Sequence, residues 1–269
     1  MLDQIEAAFS PFDRFKKARA ARQAPQEESI AARFVRIFES HGVSRNQIPR
    51  FFGHELTIED VQTEQSLFPK LTEPVLEGIC ERFSIRREWL DGADSQPHEV
   101  HHFYKNPGEF SEFIQALRAA NPQLRVSGVL VSPADEAFDS TALLILEEEI
   151  GWVGEKVICR YHLCDEWLFS YWKARAYLTA CVAIAWKNGI YVHGLKAMNK
   201  EIAQLSEGKA LMGWNGQGAY ELARGKWDPE DMALWPQRFL AGVDPEQEKF
   251  GIKSGLELCN RPATTVFPV

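Results

Sequence analysis

Residues 72–92, TEPVLEGICERFSIRREWLDG, constrain the fold more than any other stretch of this chain. Thr72 stands as a capping residue ahead of Pro74, and proline is tolerated in a first helical turn because its missing N–H has no partner there. Val75, Leu76, Ile79, Cys80 and Phe83 then follow at the i, i+3, i+4 spacing of a helix that buries one face. A break at Ser84-Ile85 precedes Trp89-Leu90, a last apolar anchor before the stop at Asp91-Gly92.

Two shorter helical pieces lie upstream. Residues 31–41 carry Phe34, Val35, Ile37 and Phe38, with Gly42 placed for a left-handed cap. Ser44 caps a piece holding Ile48, Phe51 and Phe52 that stops at Gly53, with Pro49 inside it. A third piece is expected from Thr57, with Ile58, Val61 and Leu67 facing inward. Such a succession presents a recognition helix to a DNA groove.

At these residues the chain resembles the lambda-repressor-like (Cro/cI, xenobiotic-response-element) helix-turn-helix family. The resemblance spans residues 29–92. It rests on Gly42-x-Ser44, Gly53, Thr57-Ile58-x-x-Val61 and the terminal Trp89-Leu90-x-Gly92. It implies an all-helical DNA-binding domain. The turn between Gly53 and Thr57 is about one residue shorter than the family's.

Charge pulls against that implication. The expected recognition helix carries Glu55, Glu59, Asp60 and Glu64, whereas phosphates are met mainly by Lys, Arg, amides and hydroxyls. Residues 1–97 hold 13 Lys and Arg against 16 Asp and Glu, and the whole chain has a formal net charge of -8. Non-specific attraction to nucleic acid or anionic membrane is therefore unfavourable. The groups placed for DNA are Arg45, Asn46 and Arg50 from the second piece and Thr57 and Gln62 from the third. Lys16, Lys17 and Arg19 join them from a basic arm, FKKARAARQAP. That arm reads as a phosphate grip, a solvated face, or a docking helix for a dimer partner.

After Gly92 the pattern becomes mixed. Strands are expected at 100–104, 124–131, 142–150, 156–162 and 190–193. Helices are expected at 107–120, 165–187, 196–207 and 229–240. Gly151-Trp152-Val153-Gly154 has the composition of a hairpin connection. The fold class expected is multidomain: an all-α helix-turn-helix N-terminal domain plus an α+β C-terminal domain, a sheet covered by helices on one face. The divisions are an arm at 1–28, the helix-turn-helix domain at 29–93, a linker at 94–98, a ligand-sensing or dimerisation domain at 99–242 and a tail at 243–269.

Several constellations invite chemistry. His98-Glu99-x-x-His102 matches the zinc-protease spacing, but it follows Pro97 in a polar linker without the apolar flank of a buried helix. His162, Cys164, Asp165 and Glu166 are all ligand types, although a buried thiol beside helix-start carboxylates explains them as well. Cys159, Cys164 and Cys181 could act as a redox sensor if their thiol pKa were low. Tyr161, His162, Trp167, Tyr171, Trp172 and Arg175 either line a pocket for an aromatic or anionic ligand or fill a core. Five cysteines without CxxC spacing suit a reducing compartment. No apolar run spans a membrane.

These readings describe a cytoplasmic, dimeric, DNA-binding transcriptional regulator with no enzymatic activity, catalytic residues, metal or cofactor. The alternative is a protein-interaction adaptor that uses Glu55, Glu59, Asp60 and Glu64 to bind a protein.

Overall fold

The computed structural model describes residues 28–134, 140–208, 210–212 and 225–234, with the side chains of Glu166, Trp172, Ala233 and Leu234 excepted. Among the described residues, every regular element before residue 100 is helical and the sheet lies in the C-terminal half.

Helix α1 (Ile30–Ser40) begins where Ser29 accepts the Ala32 N–H at 3.0 Å. It ends with Gly42 at φ 80°, whose N–H reaches the Glu39 carbonyl at 3.0 Å, and with Val43 N–H reaching the Phe38 carbonyl at 2.9 Å, so two terminal carbonyls of the helix are satisfied. A 3₁₀ turn (Arg45–Gln47) leads into α2 (Ile48–Phe52), with Pro49 in its first turn, where proline is harmless. After α3 (Glu64–Leu67) comes α4 (Glu73–Phe83), which buries Val75, Leu76, Ile79 and Phe83. Ser84, at φ 52°, closes it. The short α5 (Arg87–Leu90) sinks Trp89 and Leu90 into the same core.

One expectation fails here. Residues 57–63 are not a helix but a single turn followed by a bend. Thr57 takes Asp60 Oδ2 on both its N–H (2.9 Å) and its hydroxyl (2.8 Å), and Thr63 restarts the chain through its own box with Ser66. Side chains that bind nearby backbone compete with the helical ladder, and four of them fall within ten residues. Val61 and Leu67 are buried as expected, but Ile58 is 58% exposed.

Among the described residues the sheet has six strands in the order β1-β4-β3-β2-β5-β6. They are β1 (Val100–His102), β2 (Val126–Pro133), β3 (Thr141–Val153), β4 (Lys156–Leu168), β5 (Val192–Ala197) and β6 (Gly225–Trp227). The β1/β4 and β2/β5 pairs are parallel and the others antiparallel. Helices α6 (Pro107–Ala120) and α7 (Trp172–Lys187) cover one face through Phe110, Ile114, Leu178 and Val182. Helix α8 (Asn199–Ser206) covers the other through Ile202 and Leu205. The sheet is therefore covered on both faces rather than one, which explains the unbroken apolar run Leu143–Leu146: its odd and even members enter different cores. The final described helix, α9 (Glu230–Leu234), adds Met232 to the first of these cores.

Boundaries also move. Residues 165–168 continue β4 instead of starting the long helix, because Ala142 pairs Trp167 and Thr141 pairs Leu168. Strand β5 runs to Ala197, over the start of an expected helix, and β6 had no forecast. The turn of the β3–β4 hairpin is Gly154-Glu155, since Val153 pairs Lys156. Residues 235–240 of the expected last helix, residues 1–27 of the arm and the tail lie outside the described residues.

The helices of residues 30–90 pack against the far end of that hairpin. Ile158 sits in their core, and Ile150 and Val153 pack on it. Gly151 bulges there, and a Cβ on it would stand 3.1 Å from the Phe51 ring. No described helix is long and apolar enough to cross a membrane.

Candidate functional site

The segment 54–70, where the third helical piece was expected, is held by its own side chains. His54 and Glu55 both take left-handed φ values, 52° and 59°, which turn the chain out of α2. Leu56, Val61 and Leu67 then anchor the segment in the helical core. Between the anchors, Ser66 Oγ donates to the Asp60 carbonyl (3.0 Å) and Lys70 Nζ stands 3.4 Å from Asp60 Oδ1. The Thr57 hydroxyl and amide, with Lys70 behind them, hold the Asp60 carboxyl below the usual range. What remains outside is Ile58 (58% exposed), Phe68 (65% exposed), and the exposed carboxylates Glu55, Glu59 and Glu64.

The residues placed for DNA are mostly used within the chain. Arg45 Nη1 donates to the carbonyls of Gln62 (3.0 Å) and Val61 (3.4 Å). The Gln62 amide donates to Asn46 Oδ1 and to the Ile58 carbonyl, both at 2.9 Å. Thr57 is bound to Asp60. The structure does bring Arg45, Asn46 and Gln62 together, as an internal brace rather than an open donor set. Arg50 is exposed. Lys16, Lys17 and Arg19 lie outside the described residues.

The residues placed for a ligand do not converge. Tyr161 and His162 point to opposite faces of β4, since successive strand side chains alternate. Tyr161 faces the α8 side, with its ring 5.4 Å from that of His41. Trp167 is fully buried and donates its ring N–H to the Cys164 carbonyl at 3.1 Å. Tyr171 is 40% exposed, and Arg175 donates to the Phe169 carbonyl at 2.5 Å. Trp167 and Tyr161 are thus core residues, Tyr171 stands at the surface, and the side chain of Trp172 is not described.

His98 and His102 stand on extended backbone, not on a helix. His98 bridges Ile85, is 1% exposed, and accepts the Met212 N–H at 2.9 Å, whereas Glu99 is exposed. Burial, with His41 nearby, pushes the His98 pKa down to about 3. No group of three metal-ligating side chains occurs among the described residues. Burial likewise raises the thiols, Cys159 to about 12 and Cys164 and Cys181 well above the usual thiol range, so none of the three is a ready thiolate.

A feature the sequence reading missed is Glu148, fully buried on the α6 face of β3. Burial alone would raise its pKa, but hydrogen bonds from His162 (2.9 Å) and Arg160 (2.5 and 2.7 Å) outweigh it and hold the carboxyl down at about 2. Asn121 donates to the same carboxylate. The signal was available: alternation puts Glu148 on the face of Leu144 and Leu146. Arg160 also reaches the Glu81 carbonyl of α4 (3.1 Å), and Arg82 donates to the Ile150 carbonyl (2.9 Å) with its guanidinium 4.7 Å from the Phe51 ring centroid. A cavity of about 520 Å³ opens on this seam, lined by His54, Glu77, Glu81, Arg82, Asn121 and Arg160 among others. Its two cations are already engaged and two carboxylates face them. The seam therefore works as a joint rather than as a charged ligand site.

Comparison with protein-family models, with curated proteins and with solved structures finds no match to this chain.

Proposed function

We propose that this chain is a protein-interaction adaptor: a helix-turn-helix-like helical unit, fixed to an α+β scaffold, that offers the acidic edge 54–70 to a basic protein segment. One observation carries the reading. Where the third helical piece was expected there is a stapled turn that exposes Ile58 and Phe68 among Glu55, Glu59 and Glu64. Exposed apolar side chains rimmed by charge suit a protein surface, and the charge selects a cationic one. The same carboxylates repel phosphate, and the braces on Arg45, Asn46 and Gln62 leave few donors to offset that.

The DNA-binding regulator stands as the competing reading, with Arg50 and the arm as its remaining cations. The two part on a salt series with a fragmented genomic DNA pool. The adaptor retains no defined site even at low salt. A regulator enriches one, loses it steeply as salt rises, and loses it on Arg50→Ala.

A further inference from the structure

Residues 1–27 lie outside the described structure, but the residues that follow them fix where they leave it. Glu28 pairs with Arg33 (3.8 Å) and Arg36 (3.0 Å), and Ser29 caps α1. The Ser29 hydroxyl also donates to the carboxylate of Glu64. The chain therefore enters the fold against the acidic edge itself.

What precedes that point is complementary to the edge. Residues 14–22 hold Arg14, Lys16, Lys17, Arg19 and Arg22 with no carboxylate among them, directly after Phe9 and Phe12 and around Phe15. The edge offers three exposed carboxylates and two exposed apolar side chains. Arg22 is six residues from Glu28, so it lies within roughly 20 Å of it at full extension. A tether of that length holds the arm at an effective concentration of order millimolar, enough for a weak contact to be mostly formed.

We infer that residues 9–22 seat in cis on the 54–70 edge, their cations on Glu55, Glu59 and Glu64 and their phenylalanines over Ile58 and Phe68. This rests on reading that edge as a docking surface. The arm is then the competitor that an outside basic segment must displace, and only partners that outbid the tethered arm engage.

Zero-length carbodiimide cross-linking of the full chain tests this, because it joins only lysines and carboxylates in direct contact. The Lys70–Asp60 pair, 3.4 Å apart, is the internal control. The expected result is Lys16 or Lys17 joined to Glu55, Glu59 or Glu64, lost at high salt. In an equal mixture of isotopically light and heavy chains, no mixed cross-links should form. Mixed cross-links would place the arm on a second copy and overturn the inference, as would the control link forming without any arm link. A second measurement uses a synthetic peptide of residues 9–22 as probe. It should bind a full chain carrying Lys16→Gln, Lys17→Gln and Arg19→Gln about tenfold more tightly than the wild type, and equal affinity would count against the inference. Failure here leaves the adaptor reading intact, since an edge without a tethered competitor can still bind a partner. The cross-links, conversely, would form whether or not a partner exists.

Discussion

Arg45 Nη1 donates to the carbonyl of Gln62 at 3.0 Å, and the amide of Gln62 closes the loop on Asn46 at 2.9 Å. A cation expected from the sequence to meet phosphate thereby holds the turn at residues 57–63. Arg45→Ala should therefore cost roughly 1 kcal/mol of stability, because the bond is charge-assisted but part-exposed. Amide hydrogen exchange should quicken over residues 57–62. Urea unfolding and exchange mass spectrometry read the two effects. A variant of unchanged stability and protection would show that the brace is not formed.

The buried pair Glu148–Arg160 couples the sheet to the helical layer, since Arg160 also reaches the Glu81 carbonyl. Arg160→Met leaves the buried carboxylate with only its His162 and Asn121 hydrogen bonds and should cost about 3 kcal/mol. Pairing it with Glu148→Leu should recover much of that loss, because both charges then leave together. Strictly additive losses in the double-mutant cycle would contradict the pairing.

Acid should loosen the junction in two steps. His41 and His98 are both buried, and burial lowers their pKa values to about 4 and about 3. Their folded values lie below the unfolded one, so the stability they confer is present above pH ~6.5 and is lost as pH falls toward 4. Glu148 adds a second loss below its unfolded value near 4.5, which completes as pH nears 2. Glu230 runs the other way. Burial and the neighbouring Asp228 raise it to about 7, so its contribution is favourable below pH ~4.5 and is lost as pH rises through 7. Glu230→Gln removes that offset, so its stability should fall more steeply between pH 7.5 and 4.5 than the wild type's. Equal slopes in denaturant titrations across this range would contradict the assignment.

Gly194 tests the far edge of the sheet. A Cβ there would lie 2.4 Å from the Trp227 carbonyl oxygen, which belongs to backbone and cannot swing aside. Gly194→Ala should displace β6 and cost about 1–3 kcal/mol, with altered Trp227 fluorescence. A neutral substitution would mean that β6 is not seated as described.

Legibility in the sequence followed the physics of each segment. The helix bearing Val75, Leu76, Ile79 and Phe83 was readable because the first-turn proline, the stripe and the stop agreed, although the Thr72 side chain makes no cap hydrogen bond. Helix α6 came out at its expected limits because Asn106-Pro107 and Asn121 bracket a clean period. The third helical piece misled because Thr57, Asp60, Thr63 and Ser66 resemble helix starts, and two starts within six residues leave room for neither helix. Residues 165–168 misled because Asp165-Glu166 has the composition of a helix start, whereas Trp167 and Leu168 pair with Ala142 and Thr141 in the sheet. The acidic residues of the candidate edge were visible at once. Ile58 was assigned inward and Phe68 passed unnoticed, since only the folded turn decides which side they take.

The most direct test of the central claim places a photo-crosslinking residue at position 58 of the full chain, activated in cells, with the adduct then digested by protease or by nuclease. The account predicts a discrete, protease-sensitive and nuclease-resistant adduct with one basic protein. When that protein is purified, its binding should weaken at least about tenfold on Glu59→Lys together with Glu64→Lys. Adducts that nuclease removes, and that persist through those charge reversals, would contradict the account and return the segment to DNA.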